Sequence, residues 1–278
     1  MSDPRPIGVF DSGVGGLTVV RALMDELPDE PIVYFGDSGR APYGPRSIPE
    51  IRRFAVQIAE HLMAQDVKMI VVACNAATAA ALDQVAGAVP VPVIGVIEPA
   101  VRAAVVATRN GRIGMIGTLA TVSTGAYDRA VARADGRVRL FSQACPSFVE
   151  FVERGETTTR RVLETAERYL APLRDAGVDT LILGCTHYPF LRAAIHHVMG
   201  DSVLLFSSAD ETAVDVFETL ARGDLLADPD PDRPPEHRFG SSGDPALFEA
   251  LGARFLGPEV RSVELVPLVD SETGAGRS

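Results

Sequence analysis

Short apolar runs recur along the chain, and between them the apolar residues return at helical spacing. Runs of four to six residues bounded by glycine or polar positions read as buried strands. They predict strands at Ile7–Asp11, Ile32–Gly36, Met69–Cys74, Val91–Val96, Ile113–Gly117, Val138–Ser142, Thr180–Cys185 and Val203–Ser207. Segments such as Ile51–Gln65 and Thr159–Ala176 place apolar residues three and four apart and predict helices. Strands alternating with helices imply an α/β fold of parallel sheets wrapped by helices. The pattern breaks at Asp228-Pro-Asp-Pro-Asp-Arg-Pro-Pro235, where prolines remove backbone donors and predict a loop, bounded at 227–236. A strand near His237–Gly240, a helix near Pro245–Phe255 and a strand near Arg261–Val266 follow. The end, Glu272–Ser278, offers no apolar pattern and is expected to be disordered.

The chain also resembles itself. Leu62-Met-Ala-Gln-Asp-Val67, an apolar run and Cys74 parallel Leu173-Arg-Asp-Ala-Gly-Val178, an apolar run and Cys185, at a constant offset of 111 residues. A weaker echo pairs Ile7-Gly-Val-Phe10 with Ile113-Gly-Met-Ile116. Matches in the same order favour a duplicated α/β unit. Two related lobes would then face each other across a cleft, with one cysteine at a strand end on each wall. The expected division is a discontinuous first lobe, 1–97 plus 209–267, a second lobe, 98–208, and a tail, 268–278.

Composition narrows the chemistry. The formal charge is −11 over 278 residues, without a basic cluster, which argues against direct binding to nucleic-acid phosphates. No apolar run approaches the length of a membrane span, and Met1–Ile7 lacks the layout of a secretory signal, so a cytoplasmic location is expected. Lys68 is the sole lysine, at the start of the run that leads into Cys74. Chemistry in open α/β sheets gathers at the carboxyl ends of strands, so Lys68 lies at the wrong edge to form a pyridoxal Schiff base. Three sparse cysteines do not make a disulfide framework, and no metal-ligand spacing is present.

Cys74 and Cys185 each end an apolar strand and precede a small polar residue and a helix-like segment, Asn75-Ala-Ala-Thr78 and Thr186-His-Tyr-Pro189. A thiol between a strand end and a helix start feels the positive end of the helix dipole, which favours the thiolate and makes a base for neutral pH. Either cysteine alone reads equally well as inert core; the matching contexts favour chemistry. Cys145, without a repeat partner, reads as packing. His187 is close enough to polarise Cys185 or to donate a proton, whereas His61, His196, His197 and His237 are expected to face solvent. The glycine-rich turn after Ile7-Gly-Val-Phe-Asp-Ser-Gly-Val-Gly-Gly16 can cradle an anion on backbone N–H groups, though it is neither a dinucleotide fingerprint nor a P-loop. Asp11 is the carboxylate nearest the Cys74 side, with capping of the next helix as its structural alternative. In the turn-rich segment Gly36–Pro45, Tyr43 and Gly44 line a pocket or form a surface turn.

Together, Phe10-Asp-Ser-Gly-Val-Gly-Gly16, Gly36-Asp37 with Pro42-Tyr-Gly44, Ala73-Cys-Asn75, Cys145-Pro146 with Val152-Glu-Arg-Gly155, and Leu183-Gly-Cys-Thr-His-Tyr-Pro189 resemble the glutamate racemases, of the cofactor-independent Asp/Glu racemase superfamily. The resemblance runs from about residue 6 to 256. It implies interconversion of L- and D-glutamate without cofactor or metal, supply of D-glutamate to bacterial peptidoglycan and hence cell shape, two pseudosymmetric lobes with the active site in the cleft between them, and a homodimer. Carried over, Cys74 and Cys185 are the acid/base thiols, Asp11 assists Cys74, and His187 and Glu153 assist Cys185. Asp11, Ser12, Tyr43, Gly44, Asn75, Ala76, Thr186 and His187 match substrate-binding positions. Many relatives carry Thr or Ser where this chain has Ala76, so a hydroxyl contact is lost there. Rival readings are a racemase of aspartate or another acidic compound, or a regulatory protein contacting DNA gyrase, which these residues do not address.

Overall fold

The computed structural model describes residues 2–230, 232 and 234–268. The chain opens with β1 (Ile7–Asp11), α1 (Leu17–Glu26), β2 (Ile32–Gly36), α2 (Ile48–Met63), β3 (Met69–Val72), α3 (Asn75–Ala88) and β4 (Val93–Gly95). It continues through α4 (Ile97–Ala107), β5 (Arg112–Gly117), α5 (Leu119–Ser123), α6 (Ala126–Ala134), β6 (Arg139–Ala144) and α7 (Ser147–Glu153). Then come α8 (Arg160–Asp175), β7 (Thr180–Gly184), a 3-10 turn at Tyr188–Leu191, α9 (Arg192–Met199), β8 (Leu204–Ser207) and α10 (Ser208–Arg222). Last are β9 (Arg238–Ser241), α11 (Pro245–Phe255) and β10 (Glu264–Leu265). Every expected strand forms, and every strand pair is parallel. Among the described residues no helix is long and apolar enough to cross a membrane. The expected disorder of Glu272–Ser278 lies outside the described residues.

The boundaries that moved did so for local reasons. The helix expected from Ile51 starts at Ile48, because Ser47 and Glu50 form a reciprocal capping box and Pro49 sits in the first turn. The strand expected at Val91–Val96 shortens to Val93–Gly95, since Pro90 and Pro92 cannot donate to a ladder. The last strand shrinks to two exposed residues on the sheet edge.

Six strands form one sheet in the order β10-β9-β2-β1-β3-β4, and four form a second in the order β6-β5-β7-β8. The cores β2-β1-β3-β4 and β6-β5-β7-β8 share one topology, as duplication requires. Ile7 stands opposite Met69 in the first sheet and Ile113 opposite Thr180 in the second, so the weaker echo and the cysteine repeat occupy equivalent strands. The likeness reaches backbone detail. A Cβ on Gly8 would lie 3.1 Å from the Val67 side chain, and one on Gly114 would lie 3.3 Å from that of Val178. Asp66 and Gly177, again 111 apart, both turn the chain out of a helix with positive φ, at 55° and 66°. β1, β3 and β7 are buried along their whole length, which accounts for their unbroken apolar character.

Lys68 lies just before β3, at the amino edge of the first sheet. It is 1% exposed; its Nζ pairs with Glu30 Oε2 at 2.5 Å and donates to the carbonyls of Asp3 and Leu225. Glu30 also accepts from the Ala227 N–H, so one buried ion pair fastens four separate chain segments.

Candidate active site

The carboxyl ends of β1, β3, β5, β6 and β7 converge on a cleft of about 380 Å³, the usual size for a small-molecule site. Cys74 and Ser12 line it from the first lobe and Cys185, Thr186 and His187 from the second. Tyr43, Gly44, Asn75, Ala76 and Glu153 complete the residues expected there. Asp11, 1% exposed, lies behind the wall and not on it. Thr118, Thr121, Pro146, Val149 and Glu150 also line the cleft and escaped the sequence reading. The signal was present, because Thr118 directly follows β5 and Pro146 closely follows β6, the strand-end position that singled out the cysteines.

The two thiols are built differently. Cys74 is the N-cap residue of α3 and lies 3.8 Å from the Ser12 hydroxyl, with backbone N–H groups of Ala77 and Ser12 directed at its sulfur. The expected dipole-driven fall in its pKa is overturned. Burial, reinforced by the nearby Asp11 carboxylate, outweighs those donors and pushes the thiol up to about 12. At Cys185 the chain enters a turn, and the next α-helix starts only at Arg192, so the expected helix start is not adjacent. Its partner is instead His187, whose Nδ1 lies 4.0 Å from the sulfur and whose Nε2 lies 3.2 Å from Glu153 Oε1. Burial works against the imidazolium, but the hydrogen bonds to Cys185 and Glu153, with the charges of Cys185 and Asp11, raise His187 to about 10. His187 is therefore a cation at neutral pH.

Asp11 does not cap α1, whose N-cap is Gly16. Its Oδ1 accepts from Gly13 N–H at 2.9 Å and its Oδ2 from the Thr186 hydroxyl at 3.3 Å, across the lobe boundary. Burial raises its pKa, opposed by the His187 charge and these donors. The lobes meet closely here: a Cβ on Gly15 would fall 2.3 Å from Thr186 Oγ1 and 2.6 Å from the His187 ring. On the opposite lip, Ala120 N–H donates to the Gly44 carbonyl at 3.0 Å. Tyr43 is buried, with its hydroxyl donating to Asp37. Arg254 of α11 donates to the Val152 and Glu153 carbonyls, closing the end of α7, and Phe255 packs edge-on against His187.

Cys145 is fully buried and outside the cleft lining, as packing requires. Of the other histidines, His196 and His197 are exposed as expected. His61 and His237 are half-buried, and His61 rests on the Phe35 ring. Among the described residues no group of three or more His, Cys, Asp or Glu side chains is placed to hold a metal ion. Among the described residues the cleft lining contains no Arg or Lys. An anionic ligand would therefore rely on His187, on hydroxyl and amide donors, and on the N-terminal end of α3.

Comparison with known proteins agrees with this geometry. Residues 17–215 match the family model described as Asp/Glu/Hydantoin racemase. A glutamate racemase of Parafrankia sp. (strain EAN1pec) is 55% identical over 94% of this chain and 94% of its own. The crystal structure of a Bacillus anthracis glutamate racemase superposes with a TM-score of 0.91 at 42% identity, covering 95% of this chain and 99% of the other. That of Francisella tularensis, in complex with D-glutamate, gives 0.89 at 37% identity, covering 95% and 98%. Two parallel-sheet lobes of like topology, cysteines facing one cleft and this degree of likeness make the chain an amino-acid racemase belonging to the glutamate racemases of the Asp/Glu racemase family.

Proposed function

We propose that the protein interconverts L- and D-glutamate by proton transfer between Cys74 and Cys185, without a cofactor. The observation that carries this reading is the opposite electrostatic company of two thiols on one cleft. Cys74 is kept as a thiol by burial and the Asp11 charge, whereas Cys185 has the His187 ring, favoured as the imidazolium, 4.0 Å from its sulfur. A thiolate on one face of Cα and a thiol on the other is the resting arrangement that inversion requires.

In one direction Cys185 removes the α-proton and becomes a thiol. The C–H electron pair passes into the carboxylate as an enediolate. Cys74 then gives its proton to the opposite face and becomes a thiolate. The reverse direction exchanges the roles. Thiolates are weakly hydrated, so a dry cleft penalises them less than oxygen bases. The enediolate must be met by preorganised donors, and Ser12, Thr186 and the backbone N–H groups at the start of α3 border the space in which it would form. Asp11 and the His187–Glu153 pair hold the two protonation states apart. At position 76 only the backbone N–H is available to the substrate.

The supply of D-glutamate to peptidoglycan, a cytoplasmic location and a homodimer belong to the same proposal, supported by family likeness. The division into lobes at 97/98 and 208/209 is likewise proposed. The test is incorporation of solvent deuterium at Cα of both enantiomers without added cofactor. Exchange from both is expected, with racemisation lost in Cys74→Ser and in Cys185→Ser. Normal racemisation by either variant overturns the two-thiol mechanism, and preferential turnover of aspartate overturns the substrate.

A further inference from the structure

We infer that Tyr127 is a positioning residue that orients the Asn75 amide and holds the two cysteine-bearing turns at a fixed separation. Tyr127 is the second residue of α6 and is fully buried, in a cluster with Ile113, Met115 and Ile182. Its hydroxyl donates to Asn75 Oδ1 at 2.7 Å, across the lobe boundary. Its ring lies so close to Gly184 that a Cβ there would sit 3.3 Å from Cε2. One rigid side chain therefore touches the residue after Cys74 and the residue before Cys185.

The hydrogen bond also selects one of the two amide orientations. Burial, aided by the Cys185 charge, raises the Tyr127 pKa, so the phenol stays protonated and donates. A donating phenol accepts only Oδ1 as partner, which turns Nδ2 away. Asn75 is 2% exposed and borders the cleft, yet its Nδ2 is buried without an acceptor among the described residues. Buried donors left unpaired are costly, and this one awaits an acceptor that enters the cleft. On the glutamate reading, on which this inference rests, that acceptor is a substrate carboxylate oxygen.

Tyr127→Phe removes only the hydroxyl and frees the amide to turn over. The expected result is a KM raised about tenfold for both enantiomers, with kcat held within about threefold, because the lost contact is made equally in ground and transition states. In an Asn75→Ala background, Tyr127→Phe should add nothing further to KM. A hydroxyl that merely packs would lower the melting temperature, leave KM unchanged and act additively with Asn75→Ala; that outcome overturns the inference. A second readout needs no turnover. The Asn75 side-chain NH2 resonances, identified by their loss in Asn75→Ala, should shift in Tyr127→Phe, and unchanged resonances overturn the link. If the wild-type protein fails to racemise glutamate, the substrate reading falls, while the resonance shift still decides whether Tyr127 orients Asn75.

Discussion

Cys74 and Cys185 carry the same atoms and differ only in company. Strand-end position and repetition made both visible in the sequence. Of their neighbours, Asp11 and His187 were legible from position along the chain, but Glu153 only through family resemblance, because it lies 34 residues before His187 and the pair forms through folding. The direction of the Cys74 shift was not legible, since it depends on how deeply Asp11 and the thiol are buried together. The His187–Glu153 pair sets a pH dependence. With a folded pKa of about 10 against an ordinary 6.5, His187 binds its proton more tightly in the native state. Its stabilisation is complete below about pH 6.5 and is lost as pH rises through 10. Cys74, raised from 9.0 to about 12, acts in the same sense above pH 9. Urea unfolding between pH 6 and 10 should show stability falling with pH, and less steeply in Glu153→Gln. An equal slope in that variant would mean that Glu153 does not support the imidazolium.

At the scale of elements, the lobes are matched by close approach at small residues. The sequence showed Gly15 as part of an anion-cradling turn, but its demand for space comes from Thr186 and His187, far along the chain. Gly15→Ala should displace both and lower kcat/KM by about 10²-fold, as small misplacements of reacting groups do. Its melting temperature should stay near wild type, so activity and stability separate. The repeat supplies a second test. Gly177 adopts its left-handed turn without strain, whereas Asp66 makes the equivalent turn with a side chain. Asp66→Gly should stabilise the protein by about 0.5–1 kcal/mol in chemical denaturation. The helix starting at Ile48 was foreseeable from its Ser47–Glu50 spacing, a local signal that apolar periodicity overlooks.

Across the whole molecule, α/β alternation and the internal repeat foretold the two sheets, because parallel strands buried on both faces leave unbroken apolar runs. Lys68 was legible only as misplaced for cofactor chemistry; its partner Glu30 and the carbonyls it binds come from distant segments. Lys68→Ala leaves a buried carboxylate unpaired and should cost about 3–5 kcal/mol by urea unfolding. Lys68→Met with Glu30→Gln should recover much of that, and turnover per folded molecule should be unchanged in both.

β9, which covers the outer side of β2, is encoded after every strand of the second sheet. Assembly order and synthesis order therefore disagree. While the ribosome adds the roughly 200 residues from Gly36 to Arg238, about 10–40 s at ordinary translation speeds, β2 has no neighbour on that side. Throughout that interval the nascent chain presents bare amide and carbonyl groups to other newly made chains. Crowded polysomes expose this protein to mispairing, and translation through β9 ends the hazard on that side of β2.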